Sequence, residues 1–350
     1  MKTTTLGKSD VIVSEICLGT MTFGNQTGAA DAFRQMDRAV DVGMTFFDCA
    51  EMYPVNPVRP ETKGRSEAVI GDWIAQRDRS DDLRIATKIS GPGNIREEGF
   101  TGANIAAAID DSLRRLRVDV IDLYQLHWPQ RGSYAFRQNW AYDPSGQDRA
   151  RTIAHMQDVC QALKTAVDAG KIRAFGLSNE SAWGTVRWID VAQQVDGPRV
   201  VAVQNEYSLM NRHYDLDMAE VAVNEDITLL SYSPLAAGLL TGRYLGGVNP
   251  DGSRAAVDVL HGGKGDLGGR RTLQAERAVA AWKALADETG IDLIHLAIAF
   301  QTTRPFHVVP IIGATNIDQL EHLIAGFDVR LSAEVLDRIA QIRRDHPTPY

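Results

Sequence analysis

Apolar and polar positions change period regularly along this chain. Lys2 to Val13 reads as two short strands about a turn at Gly7-Lys8-Ser9-Asp10, and a third strand at Glu15-Ile16-Cys17-Leu18 runs into Gly19-Thr20-Met21. From Ala30 to Val42 the spacing becomes helical (Phe33, Met36, Ala39, Val40), and Gly43 stops the run. The stretch Thr45 to Asp48 returns to strand. A Pro-rich loop from Pro54 to Pro60, a helix near Ser66–Gln76 and a strand at Leu83–Lys88 follow. The same alternation predicts helix Ala103–Leu116, strand Val120–His127, helix Ile153–Ala169 and strand Ile172–Leu177. It then predicts helix Ala182–Val195, strand Val200–Gln204, helix Leu216–Asn224 and strand Thr228–Ser233. Helices Thr272–Glu288 and Leu293–Thr302 lead to a last strand, Val308–Ile312, with helices near Ile317–Ala325 and Ala333–Arg343 behind it.

Strands that alternate with helices pair in parallel through right-handed crossovers. Roughly eight such units in about 300 residues match a closed (β/α)8 TIM barrel, here with an N-terminal β-hairpin and additional C-terminal helices. No Pro/Gly/Ser linker or charge block divides the chain, so one domain over residues 1–350 is expected. A doubly wound open sheet is the competing architecture. It calls for a phosphate-binding glycine turn after the first strand, and Gly19-Thr20-Met21-Thr22-Phe23-Gly24 lacks that fingerprint. Gly263-Lys264-Gly265-Asp266-Leu267-Gly268 fits it letter for letter, but no strand is predicted before it, so it reads as surface loop.

Of the 350 residues 44% are hydrophobic and 23% charged, enough for a sizeable core. A formal charge of -8 argues against nucleic-acid or anionic-membrane partners. Cys17, Cys49 and Cys160 are scattered and odd in number, as reduced core thiols are, and the N-terminus has no apolar leader pattern. The expected location is the cytoplasm.

Ionisable residues stand where strands end. Asp48, with Tyr53 in the loop beyond it, closes one apolar run; Lys88 and His127 close two others. A carboxylate, a phenol, an amine and an imidazole at the carboxyl ends of barrel strands point to proton-transfer chemistry. No His/Cys/Glu cluster offers metal-ligand spacing, so no metal is expected.

With these four residues placed, the chain resembles an aldo-keto reductase over nearly its whole length. The resemblance extends through Gly19-Thr20, Gly64-x-Ser66-Glu67, Gly176-Leu177-Ser178-Asn179 and Gln204-Asn205-Glu206-Tyr207-Ser208. It continues in Tyr232-Ser233-Pro234-Leu235 through Gly242-Arg243 and in Gly313-Ala314-Thr315 with Gln319. Glu51 to Val55, Arg59 to Thr62 and His127 to Arg131 look most like the Tas-type bacterial branch. The resemblance implies nicotinamide-dependent reduction of an aldehyde or ketone. Tyr53 would act as acid, Lys88 would stabilise its phenolate, Asp48 would orient Lys88, and a neutral His127 would hold the substrate oxygen.

Cofactor roles carry over in the same way. Asp48 with Gly19 and Thr20 would stand beside the cofactor, and Ser178, Asn179 and Gln204 would hold the carboxamide. Tyr232 would stack on the nicotinamide. The loop with Ser233, Pro234, Leu235, Gly238, Leu240, Gly242 and Arg243 would clamp the pyrophosphate, and Gly313, Thr315 and Gln319 would meet the adenosine. NADP(H) is the expected cofactor, with Arg243 and Arg270 or Arg271 supplying charge for a 2′-phosphate; NAD(H) stays open because Gln319 stands where relatives carry arginine. His322-Leu323 likewise replaces a common Glu-Asn pair. Trp128–Arg151, with Tyr134, Phe136, Trp140 and Tyr142, is the expected wall for a small carbonyl substrate. Gly246–Arg271 reads as a mobile lid whose cations Arg254, Lys264, Arg270 and Arg271 repel until a phosphate-rich ligand arrives. Two other readings stand beside the reductase. One is a non-catalytic nicotinamide-nucleotide-binding regulatory subunit. The other is a barrel lyase with Lys88 as Schiff base, which a neighbouring Asp48 disfavours.

Overall fold

The computed structural model describes residues 1–55, 57–77, 83–93 and 95–350. One position of the Pro-rich loop, Asn56, lies outside the described residues. A two-stranded antiparallel hairpin comes first, β1 (Thr3–Thr5) with β2 (Ile12–Ser14). Eight parallel strands then close a barrel: β3 (Cys17–Gly19), β4 (Phe46–Asp48), β5 (Arg84–Ile89), β6 (Ile121–Leu126), β7 (Ile172–Ser178), β8 (Val200–Glu206), β9 (Thr228–Tyr232) and β10 (Val308–Ile312). Each pairs with its sequence neighbour, and β10 returns to β3 through Ile311–Cys17 and Ile312–Leu18.

Helices pack around this cylinder: α1 (Ala29–Asp41), α2 (Arg65–Ile74), α3 (Gly102–Leu116), α4 (Arg149–Asp168), α5 (Ala182–Gln194), α6 (Asp217–Glu225), α7 (Arg254–Leu260), α8 (Leu273–Thr289), α9 (Leu293–Gln301), α10 (Ile317–Ile324) and α11 (Ala333–Asp345). Most boundaries fall within two residues of the hydrophobic pattern. Helix α4 begins a full turn earlier, because its first turn is polar and held by a cap rather than by core contacts. The Asp148 carboxylate accepts the Arg151 N–H at 3.0 Å.

Two apolar cores follow from the pleat. Outward-facing strand residues such as Phe47, Ile85, Tyr124, Phe175 and Val203 pack beneath the helices. Inward-facing Cys17, Phe46, Ala86, Leu123, Ala174, Ala202 and Leu230 fill the barrel, joined by Leu6, Val11 and Val13 of the hairpin. The hairpin therefore plugs the amino-terminal end. Its turn needs Gly7, which has φ +44° and would bring an added Cβ to 2.5 Å from the Val201 carbonyl oxygen.

Side chains alternate along a strand, so two residues beyond each inward apolar position comes the next inward one. From Cys17, Phe46, Ala86, Leu123, Ala174, Ala202 and Leu230, that step reaches Gly19, Asp48, Lys88, Gln125, Gly176, Gln204 and Tyr232. A polar layer therefore sits directly on the apolar plug, at the carboxyl end of the barrel. The fold places it there by register alone.

Candidate active site

Lys88 is the centre of that layer. Its side chain is fully buried, and Nζ lies 2.6 Å from Asp48 Oδ2, 2.7 Å from the Cys49 carbonyl oxygen and 3.4 Å from the Tyr53 hydroxyl. Burial opposes the ammonium charge, but the Asp48 carboxylate, with smaller contributions from Tyr53 and Cys49, offsets this and the lysine ends above its ordinary value. A Schiff-base lysine needs the reverse, so this geometry does not support the lyase reading.

The other Asp48 oxygen accepts from Gln204 Nε2 at 2.8 Å and Gln125 Nε2 at 3.2 Å. Gly176 makes room for this convergence, since a Cβ there would lie 3.3 Å from Gln125 Cγ and 3.1 Å from the Ala202 carbonyl oxygen. Thr20 points the other way: its hydroxyl donates to the Asp48 carbonyl oxygen at 2.9 Å and meets Ser66 Oγ at 3.0 Å. Here it fastens the backbone of β4 to α2.

Tyr53 and His127 face each other edge to face, with ring centroids 5.7 Å apart. Burial pushes the Tyr53 phenol above its ordinary value, and the pull of Lys88 offsets only part of that rise. Lys88 does pull the phenol down, as stabilising its phenolate requires, but desolvation outweighs that pull. Burial, helped by the Lys88 charge, holds the His127 imidazole well below its ordinary value and hence neutral. His127 Nδ1 is buried and has no hydrogen-bond partner among the described residues.

The loop carrying Tyr53 is held from below by Glu51. This buried carboxylate accepts the Ser90 N–H at 2.8 Å and both Arg96 nitrogens at 2.7 and 2.8 Å. Sequence reasoning passed over Glu51, Arg96 and Gln125. Gln125 carried a signal, as a polar residue two before His127 and two beyond Leu123, on the inward face of the strand.

Ser178, Asn179, Gln204 and Tyr232 form one network. Asn179, at φ +55°, donates to the His127 carbonyl oxygen at 2.9 Å and accepts the Tyr232 hydroxyl at 2.7 Å; Ser178 Oγ donates to the Gln204 carbonyl oxygen at 2.8 Å. Beyond Tyr232 the chain turns sharply. Ser233, Ala236, Ala237, Gly238 and Gly242 all have positive φ, so the segment with Pro234, Leu235 and Leu240 folds into a tight concave loop ending at Arg243. The third group stands apart: Gly313 follows β10, and Gln319 Oε1 accepts the Thr315 N–H and hydroxyl at 3.0 and 3.1 Å.

The Gly246–Arg271 segment is more structured than a glycine-rich lid, although burial and the charges of Arg270 and Arg137 do hold the Arg254 guanidinium below its ordinary value, as mutual repulsion requires. The segment contains α7, capped by the buried Ser253, and it buries Ala255 and Leu267. Arg270 already has its counterion, with both guanidinium arms on Glu206 at 2.9 and 2.8 Å. Arg271 and Arg243 instead flank the Tyr244 ring, at 5.5 and 5.7 Å from its centroid. The expected substrate wall is also partly spoken for. Arg131 is locked onto Glu180, and Trp140 is 70% exposed, whereas Phe136 packs on Trp128 beside His127. A cleft of about 790 Å³ opens between Phe100, Trp128, Arg131 and Trp188, reaches Ser178, and is lined by none of Asp48, Tyr53 and Lys88. A pocket's size is a weaker guide here than the converging polar groups.

His127 gives a direct check of the buried electrostatics. Its ring resonances are expected to stay in the neutral position as pH falls through 6.5. The unfolded chain takes up that proton and the folded one does not, so this group's contribution to stability is present above pH 6.5 and is lost below it. An NMR titration of His127 centred at or above 6.5 contradicts the assignment.

A model of the aldo/keto reductase family matches residues 15–344. Protein tas of Escherichia coli (strain K12) is 40% identical over 347 residues, covering 97% of each chain. The uncharacterized oxidoreductase YrpG of Bacillus subtilis (strain 168) is 31% identical over 98% of this chain and 96% of its own. A probable voltage-gated potassium channel subunit beta of Arabidopsis thaliana is 31% identical, with the same coverage of 98% and 96%. The closed barrel, the buried polar layer at its carboxyl end and this family match agree: the chain belongs to the aldo/keto reductase family and is an NAD(P)H-dependent oxidoreductase.

Proposed function

We propose that the protein reduces the carbonyl of an aldehyde or ketone to an alcohol, with NADP(H) as cofactor and Tyr53 as proton donor. One observation carries the reading: a buried ammonium, Lys88, bridges a carboxylate at 2.6 Å and a phenol at 3.4 Å, with a neutral imidazole across the phenol ring.

The donor set fits a nicotinamide cofactor. Asn179 and Gln204 offer amides of both polarities for a carboxamide, and the positive-φ loop from Ser233 to Gly242 is a concave backbone surface suited to phosphate. Bound there, the nicotinamide supplies the hydride. The protein supplies the rest. His127, kept neutral, donates a hydrogen bond to the carbonyl oxygen and fixes its position. Charge builds on that oxygen as hydride arrives, and Tyr53 passes it a proton. An alkoxide is a far stronger base than a phenolate, so a phenol held protonated by burial is a competent acid at this step. Lys88 stabilises the phenolate left behind, and Asp48 with Gln125 and Gln204 keeps the ammonium in place. A role limited to nucleotide binding has no use for a phenol, an ammonium and an imidazole converging on one point.

Tyr53→Phe is expected to bind NADPH nearly as well as the parent protein while turnover falls by roughly 10²–10⁴, the usual contribution of a general acid. Near-normal turnover in that variant contradicts the role.

The 2′-phosphate is assigned to the exposed Arg243 and to the half-buried Arg271 near the same Tyr244 ring, because Arg270 is committed to Glu206, whereas Arg271 is held by neutral partners, Asn249 and the Val248 and Gly265 carbonyl oxygens. NADPH is therefore expected to bind at least about tenfold tighter than NADH, a difference of roughly 1.4 kcal/mol. Equal affinities in paired titrations exclude such a site.

A further inference from the structure

Outside the Asp48–Lys88–Tyr53–His127 group, two helices bring together three metal-ligating side chains from positions far apart in sequence. One carboxylate oxygen of Asp292 and one nitrogen each of His295 and His322 lie within 4.8 Å of one another. Asp292 precedes α9, His295 lies in its first turn, and His322 lies in the last turn of α10.

Each group is held in a way that leaves a lone pair available. Asp292 Oδ1 caps α9, accepting the Ile294 N–H at 2.8 Å and the His295 N–H at 3.3 Å. The carboxylate is thereby fixed while its second oxygen stays available. His295 Nε2 lies 2.7 Å from the His322 carbonyl oxygen. A carbonyl can only accept, so the proton sits on Nε2 and the bare lone pair on Nδ1. The His295 ring lies against Gly326, where an added Cβ would come within 2.4 Å of its Cδ2, so only glycine leaves room for the ring. His322 Nε2 stands 3.3 Å from Asp292 Oδ1, its ring centroid lies 5.0 Å from that of His295, and its side chain is 48% exposed, with solvent on one side into which it can turn.

We propose that Asp292, His295 and His322 form a binding site for a divalent transition-metal ion, Zn²⁺ in the first instance, with water completing the coordination. An imidazole that donates one N–H to a backbone carbonyl and turns its other nitrogen outward is the supporting arrangement that metal-binding histidines use. Two imidazoles and one carboxylate select zinc and its neighbours over magnesium or calcium, which prefer all-oxygen shells. Ligand atoms on a tetrahedral zinc are about 3.3 Å apart, given bonds of roughly 2.0–2.1 Å. Rotation of the exposed His322 ring closes the remaining distance. Once bound, the ion ties α9 to α10.

The test uses full-length, tag-free protein freed of metal by chelator and dialysis. Titration with Co²⁺, followed by its visible absorption, and with Zn²⁺, followed by calorimetry, is expected to saturate at one ion per chain. His295→Ala and His322→Ala should each weaken binding at least about tenfold. His322→Ala, at an exposed position, should leave the metal-free melting temperature unchanged while abolishing the rise that Zn²⁺ gives the parent protein. Binding undiminished in either variant, or no saturable binding up to roughly 1 mM ion, a Kd at which association is worth only about 4.1 kcal/mol, overturns the proposal.

Discussion

The buried Lys88–Asp48 pair is the constraint on which the rest of the site depends. Taking an ammonium and a carboxylate out of water costs several kcal/mol for each ion, and their attraction repays this only when the remaining hydrogen-bonding capacity is filled. The barrel fills it from β6, from β8 and from the residue just beyond β4. The Cys49 carbonyl oxygen takes a second Lys88 proton, while Gln125 and Gln204 converge on the free Asp48 oxygen. A pair so enclosed cannot drift, so the ammonium is held beside the Tyr53 hydroxyl. The same shell that makes the pair tolerable makes it positional.

The next layer out repeats this logic with larger pairs. Glu51–Arg96 sits beneath the Tyr53 loop, Glu67–Arg115 behind β5, Glu180–Arg131 under the long loop after His127, and Glu206–Arg270 beneath the segment after Arg243. Glu67–Arg115 ties α2 to α3, and the other three each anchor a connection between elements. Their acids, Glu51, Glu180 and Glu206, come from strand ends or from loops just beyond them, and the arginines of all four pairs come from segments far away in sequence. In the Glu206–Arg270 case this changes the chemistry read from the segment: a cation counted from sequence as available to phosphate is already neutralised.

The barrel and its strand-end chemistry were legible because both depend on short-range periodicity. Alternation within a strand places Asp48 above Phe46 and Lys88 above Ala86, and that order needs no knowledge of the neighbouring strand. What stayed hidden depends on register between strands or on contacts across the whole molecule. That Gln125 meets Asp48 beside Lys88 follows only once β5 and β6 are paired, with Lys88 opposite Gln125. The start of α4 was missed because a single cap, Asp148, outweighs a polar first turn. The net sign of the Tyr53 shift stayed hidden because burial is not visible in a loop residue flanked by Met52 and Pro54. Asp292, His295 and His322 gave no metal signal because His322 comes from the helix beyond β10.

Hydride transfer with Tyr53-borne protonation makes the most direct demand on the product itself. NADPH deuterated at nicotinamide C4 would be mixed with a panel of aromatic and polar aldehydes and ketones. Absorbance would be followed at the reduced-nicotinamide band, and the products by mass spectrometry and NMR. The expected result is loss of the band with at least one carbonyl compound and deuterium on the carbinol carbon of the resulting alcohol. Saturable NADPH binding with no consumption across the panel, or an alcohol whose carbinol carbon carries no deuterium, would contradict it.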